Sequence, residues 1–581
     1  MKKYRKMAAL TAAVVITLTA CASGASQTVS ETPSSISGKD GTSAAETKQV
    51  ETTDGKTVEL AETQTLTLLF NNVYTLDFNK SGWVSEKEIT AHTQAGLLRA
   101  VTQPDNSEAF VEDAAESYEI SDDGLVYTFH LRENHWSDGQ PVKAQEYVDN
   151  YIRELTPENG FTNVANYNFV KNAQAYYTGE VSADEVGVKA LDDATFEIIL
   201  EVPDINAIQK IAGVSYPIRL DVVEKASSYG DNAKELLYSG AFVIDEWIPD
   251  NKMVLKKNEN YWDADNIYLE TVNLITAKES ATQATLFDSQ QLDLVEYNDD
   301  FAEIWNSKAE AGEIQAVVYP KSYTRWLIYN QNGKSGLMGN AKVRLAISLA
   351  INRQEYVDTL YNRYYPAWDF TPPTVTVEGL PYNSFDSGNI TELLEEYPDS
   401  ASWQELLKEG LDEVGYPYTD LKDVIINYSD KSVNTIDQTR IEYLKQNLEK
   451  ELGITIEVVS TSDFAYMQGD YDITTAGWTS ASPYGALTLF DKVVGKPTLN
   501  GYYVDNGELQ PLFDSAIGVT DPEKVVSIYK EIERKMIREA WVAPIYWGDA
   551  RYFVQNYVQG FDFHTITAYN DFSRAYILKH D

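Results

Sequence analysis

The chain is predicted to be an α/β protein, and three stretches carry that prediction. In the first, Asp122-Asp123-Gly124 is a turn signal, and Leu125 to Arg132 then alternates. Tyr127, Phe129 and Leu131 fall on one face, with Thr128, His130 and Arg132 on the other, as in a half-buried antiparallel strand. Ser137-Asp138-Gly139 turns the chain again, and after Pro141 comes a helix. Its residues Ala144, Tyr147, Val148, Tyr151, Ile152 and Leu155 form one apolar face. In the second stretch, Val424 to Tyr428 precedes the helical stripe Ile441, Leu444, Leu448 and Leu452, which Gly453 closes. Ile454, Ile456 and Val458 then start another strand, giving a βαβ unit with parallel strands. In the third, Asn340 suits a helix N-cap, with Val343, Ile347, Ala350 and Ile351 along one face.

The remaining elements follow in order. Leu66 to Phe70 is a short buried strand, and Val186 to Asp193 and Thr195 to Leu200 alternate about an Asp-Asp turn. The strand at Tyr471 to Thr475 runs into Ala476-Gly477-Trp478. Asp521 caps a long helix with Pro522 at its first position.

A chain of 581 residues has room for about four domain-sized units. Its 43% hydrophobic and 12% aromatic content suits a well-packed globular protein. The net charge of -42 repels nucleic acid and anionic headgroups, so no nucleic-acid partner is expected. The N-terminus reads as an export signal over residues 1–20. Lys2, Lys3, Arg5 and Lys6 precede an apolar run, Met7 to Ala20, shorter than the ~20 residues that span a bilayer. Leu18-Thr19-Ala20-Cys21 resembles a bacterial lipobox, so Cys21 is expected to be lipidated and to hold the protein at the membrane. Cys21 is the only cysteine, which leaves no disulfide within the chain. Residues 21–60, rich in Ser, Thr, Gly, Glu and Lys, read as a disordered tether.

The wording DGLVYTFHLRENHWSDGQPVKAQEYV resembles the signature of bacterial extracellular solute-binding proteins of family 5, the oligopeptide-binding components of ABC importers. Where that family usually has Thr, this chain has Lys143. Half a capping box is lost, at about 1 kcal/mol, while Glu146 remains. Further blocks follow in the family's order. They are Leu76-Asp77-Phe78 ahead of Gly96-Leu97-Leu98, Ser239 to Phe242 with Glu246-Trp247, Lys256 to Asp263, Gln290 to Val295, Asn340 to Arg353, and Val542 to Trp547.

The resemblance implies a two-lobed, periplasmic-binding-protein-like fold, large type II with an extra subdomain, whose hinge-linked lobes enclose the ligand. Lobe I would take residues 61–321, lobe II 322–543, and residues 544–581 would return to lobe I. An extended peptide would lie between strand backbones from the two lobes, held by main-chain hydrogen bonds. In this sequence those segments are Gly82, Trp83, Val84 and Ser85, and Ala476, Gly477, Trp478, Thr479 and Ser480. Tyr546 and Trp547 stand at the return crossing. Gly477 would permit close backbone approach and Trp478 a flat apolar wall. Taken alone, Trp83 reads as a core aromatic, and Gly477-Trp478 is as well explained by a strand end with a buried ring.

One departure concerns the ligand's amine. Many peptide binders carry an aspartate soon after this Gly-Trp pair, and Ala481 stands about there. Asp463, Asp470 and Glu86 are the candidate substitutes. Arg344 reads as a helix-surface arginine holding neighbouring elements, outside the site. Among five histidines (His92, His130, His135, His564, His580), His130 and His135 suit surface positions, with no metal-ligand spacing. No GxSxG, HExxH or P-loop occurs, so neither catalysis, a cofactor nor a bound metal is expected. The expectation is a monomeric lipoprotein on the outer face of the cell membrane. It would capture extracellular oligopeptides and deliver them to an ABC permease and ATPase complex. An oligosaccharide, a metal chelate or a peptide pheromone is the alternative ligand.

Overall fold

The computed structural model describes residues 49–580 apart from 52–54, 56, 105, 227, 332, 361–363, 431–434, 461–470, 480–508, 566 and 568. The signal segment and Cys21 therefore lie outside the described residues. The hairpin Gln49–Glu51 and Thr57–Glu59 falls within the stretch expected to be an unstructured tether, so β pairing begins earlier than composition indicated. Gly55 turns it at φ +76°, and Leu60, 8% exposed, bridges Leu578 near the C-terminus.

Two large cores divide the fold. The first gathers Leu66, Phe129, Tyr147, Phe196, Phe242 and Leu255 with late residues such as Tyr552, Phe572 and Ile577. Two four-stranded sheets build it. One runs Phe242–Ile248, Lys252–Lys257, Thr271–Ile275, Thr65–Leu69; the other runs Ala115–Ile120, Val126–Leu131, Thr195–Ile199, Val188–Asp192. The predicted hairpin strand buries Tyr127 and Phe129, and the predicted helix spans Ala144–Leu155. At its N-cap the Glu146 carboxylate accepts from the Lys143 N–H at 2.8 Å, while the Lys143 ammonium pairs with exposed Asp193 instead of capping. A smaller core around Phe287, Trp305 and Phe553 sits at one edge.

The second core holds Leu327, Val343, Ile347, Leu444, Leu448, Ile473, Met536 and Ile545. Strands Ile425–Asp430 and Thr455–Ser460 are parallel across the helix Thr435–Leu452, as the βαβ spacing predicts. Asn340 accepts from the N–H groups of Lys342 and Val343, and Asp521 from that of Lys524, so both predicted caps form. Arg344 is buried at 3% exposure, not on the helix surface. Its guanidinium donates to the carbonyls of Met338, Glu539 and Ala540 at 2.8–3.0 Å, because the end of the helix Pro522–Arg538 turns back across it.

Two strands join the cores, and they pair with each other. Ile314–Tyr329 runs antiparallel to Val542–Gln555 within a seven-stranded sheet. Residues 314–320 and 549–555 abut the first core; residues 324–329 and 542–547 abut the second. The register shifts between Pro320 and Thr324, where the chain passes from one core to the other. A hydrogen-bonded ribbon with an irregularity at its middle suits hinge motion, since the break absorbs the dihedral change.

Candidate ligand site at the lobe junction

On the lobe I side, a buried ion pair positions the segment before Gly82. The Arg153 guanidinium donates to both Asp77 carboxylate oxygens, at 2.8 and 2.7 Å, and Asp77 is fully buried. Glu86 then folds the segment back. Its carboxylate accepts from the N–H groups of Tyr74, Gly82 and Trp83 at 2.9–3.2 Å. With 3% exposure and three backbone partners, Glu86 is occupied within the fold and does not stand ready for a ligand ammonium.

The expectation of strand backbone across 82–85 needs correction. Trp83 is extended (φ -115°, ψ 152°) and caps the helix Val84–Thr93, so Val84 and Ser85 belong to its first turn. The three-bond Glu86 carboxylate favours this turn over a strand. Ser85 Oγ donates to the Asn72 carbonyl and is buried. Trp83 is no core aromatic. At 62% exposure it lies 5.9 Å from the exposed Tyr74 ring, with Val84 half-exposed beside it, and the three present an open apolar wall.

On the lobe II side, Ala476, Gly477, Trp478 and Thr479 lie in strand Ile473–Thr479, paired antiparallel with Ile314–Tyr329. Along its other edge the ladder holds only Ile473 opposite Tyr428; past that point Ala476 to Thr479 have no strand partner there among the described residues. Ser480, Ala481, Asp463 and Asp470 lie outside the described residues. Gly477 does permit close approach, but of Tyr323. A Cβ at Gly477 would stand 2.0 Å from the Tyr323 hydroxyl oxygen, and one at Gly548 2.9 Å from its ring. The two glycines therefore make room for the side chain at the register break, where a ligand backbone was expected against Gly477.

Tyr546 and Trp547 are inside lobe II, at 4% and 0% exposure. Tyr546 stacks on Tyr364 at 4.7 Å, and Trp547 meets the edge of Phe385 at 6.1 Å. Between Tyr546 and Gly477, directly opposite both across the sheet, stands Arg325, which the sequence reading did not single out.

The junction is electrostatically mixed. Lys321, at the crossing, donates to the His564 carbonyl at 2.7 Å, and burial pulls its ammonium down to about 8. Burial pushes Glu88 up to about 7; the Glu296 carboxylate adds to this, while His92 and Lys321 oppose it. His92 and His564 are buried. His92 stacks on Phe572 at 3.6 Å with Nδ1 against the Glu88 carbonyl. Among the described residues no group of three side chains could hold a metal ion.

Comparison with known proteins places this architecture. The chain is 26% identical over 546 residues to the periplasmic oligopeptide-binding protein OppA of Salmonella typhimurium, covering 90% of this chain and 94% of that protein. It is 25% identical over 511 residues to the probable deoxycholate-binding periplasmic protein YgiS of Escherichia coli, covering 85% and 90%. Among solved structures, the substrate-binding domain of an oligopeptide ABC transporter from Bacillus anthracis superposes with a TM-score of 0.70 at 26% identity. The match covers 90% of this chain and all of that one. The sequence pattern "Bacterial extracellular solute-binding proteins, family 5 Middle" matches residues 109–496. With that pattern over most of its length and two lobes joined by a paired crossing, the chain belongs to the bacterial extracellular solute-binding proteins of family 5.

Proposed function

We propose that this protein captures oligopeptides between its lobes and delivers them to an ABC permease. The observation that carries the reading is the edge of Ala476 to Thr479, which lacks a strand partner among the described residues next to the ribbon that joins the lobes. Such an edge accepts an extended peptide by strand addition, through N–H and C=O groups that every peptide offers. The Tyr74–Trp83–Val84 wall supplies apolar cover from lobe I. A ligand that touches both lobes favours the closed state by its differential contacts, and this gives the permease a signal to read. The protein acts by binding, without catalysis, as a monomer held by a lipid on Cys21 at the outer face of the membrane. The relative named as a periplasmic oligopeptide-binding protein supports the peptide part of this reading.

Thermal unfolding against a peptide mixture, oligosaccharides and deoxycholate tests the ligand class. A true ligand at 100 times its dissociation constant is expected to stabilise the protein by about 2.7 kcal/mol. Stabilisation by deoxycholate or sugars with none by peptides would overturn the peptide reading. The anchor has a separate test. Cys21→Ser is expected to move the protein from the membrane fraction to the medium, and unchanged fractionation would refute lipidation at Cys21.

A further inference from the structure

Tyr323 stands at the register break between Pro320 and Thr324, and two glycines seat its ring. Gly548 lies opposite the break, and a β-carbon there would stand 2.9 Å from Cδ1 of the ring. A β-carbon at Gly477 would stand 2.6 Å from Cζ, with the hydroxyl oxygen closer still. The base of the ring thus borders strand Val542–Gln555, and its tip covers strand Ile473–Thr479. Tyr546 holds one side, its ring centroid 6.1 Å away and itself stacked on Tyr364 at 4.7 Å. The tyrosine is half-buried, packed against the lobe II core with part of its surface open. Arg325, directly opposite Gly477, lies on the same face and donates to the Thr475 hydroxyl at 2.7 Å.

Strand order gives the direction of this ring a consequence. Ile314–Tyr329 is followed in the sheet by Ile473–Thr479, and beyond that strand Ala476 to Thr479 have no strand partner among the described residues. Neighbouring strands lie about 4.8 Å apart, and an aromatic side chain reaches a diagonal cross-strand neighbour. With no side chain at Gly477 to stop it, the tyrosine spans that strand, and its hydroxyl stands beside the row that a further strand would occupy. We infer that Tyr323 limits the size of the ligand side chain that lies alongside Gly477. This rests on reading the open edge as the peptide site, and it gives that site a size preference. An extended chain alternates its side chains between the two faces. The one beside Gly477 on the face of Tyr323 meets the phenol, where Gly or Ala fits. A larger group would have to displace a ring that Tyr546 and the two glycine gaps hold in place. Ligand residues on the opposite face escape this limit.

The test uses the full-length protein, native mass spectrometry and alanine peptides of three to six residues, with one tryptophan walked through every position. The native protein is expected to lose about tenfold in capture, against the all-alanine parent, when tryptophan takes one particular position, and to keep capture when it moves to either neighbour. In Tyr323→Ala that position is expected to come within about twofold of the parent, and Tyr323→Phe, which withdraws only the oxygen, is expected to fall between. Equal capture of the whole set by the native protein, or loss at every position alike, would overturn the inference, and this comparison does not depend on a variant folding. A loss that persists undiminished in whichever of the two variants melts as a folded protein would overturn it too. Capture of no peptide in the set would overturn the peptide reading itself, and the inference with it.

Discussion

Replacing Arg353 by Met is expected to destabilise lobe II by about 2–4 kcal/mol. Arg353 is 1% exposed, and burial pulls its guanidinium down to about 10, still charged at neutral pH. Nε donates to the Pro544 carbonyl at 2.7 Å, and Nη1 to the carbonyls of Ser348 and Ile351 at 3.0 and 3.2 Å. Those bonds tie the end of helix Ala341–Ala350 to the returning strand Val542–Gln555. Methionine fills much of the volume but removes the donor from the Ser348 and Pro544 carbonyls in a dry interior, while the Ile351 carbonyl keeps the backbone N–H of residue 353 at 3.0 Å. Arg353→Lys keeps the charge but not the fork, so it is expected to fall between the native protein and Arg353→Met. Urea unfolding followed by tryptophan fluorescence reads the effect as a lowered midpoint. An unchanged midpoint for Arg353→Met would show that the Ser348 and Pro544 carbonyls find other donors.

The second large effect is a pH dependence in lobe II. Glu533 and Asp369 are buried at 0% and 4% exposure. Burial raises both carboxyl groups above the ordinary carboxylate range; the Asp369 carboxylate raises Glu533 further, and the Glu392 carboxylate adds to the rise of Asp369. The folded protein thus holds protons that the unfolded chain releases above the ordinary glutamate value of 4.5. The native state binds more protons than the unfolded state in that window, so stability falls as pH rises from there through neutrality. Glu533→Gln removes the titration and keeps an oxygen to accept from the Thr371 N–H, a 2.6 Å bond in the native protein. The variant is expected to gain roughly 2 kcal/mol on the native protein as pH goes from about 5 to about 8. Parallel melting profiles for the two proteins across that range would refute the buried acid pair as a source of instability.

Much of the scaffold was legible because its elements obey local rules. The switch from period two at Tyr127 and Phe129 to the helical stripe Ala144 to Leu155 depends on residues close in sequence, as do the caps Asn340 and Asp521. The site was less legible because its geometry depends on distant partners. A helical arginine does not reveal that the carbonyls of Glu539 and Ala540 will lie across it, so Arg344 read as surface. Gly477 announced a close approach but not that Tyr323 would make it. Gly82 to Ser85 gave no sign of the bonds by which Glu86 pulls them into a cap and a first helical turn. Arg325 becomes notable only once Thr475 and three tyrosines surround it without an acid.

The paired crossing also bears on biogenesis. Because lobe II is bracketed by the two halves of lobe I, the first-made half of the chain is completed by the last-made residues. Lobe II has its core complete by Tyr546, whereas the core around Leu66 and Phe129 also needs Phe572, Ala575 and Ile577. Until Phe572 arrives, His92 lacks the ring it stacks on, and Leu60 has no Leu578 to bridge. A message cut short near its end therefore yields a protein with a finished second lobe and an unclosed first one. Such a product would leave part of the core surface around Leu66 and Phe129 without its C-terminal cover.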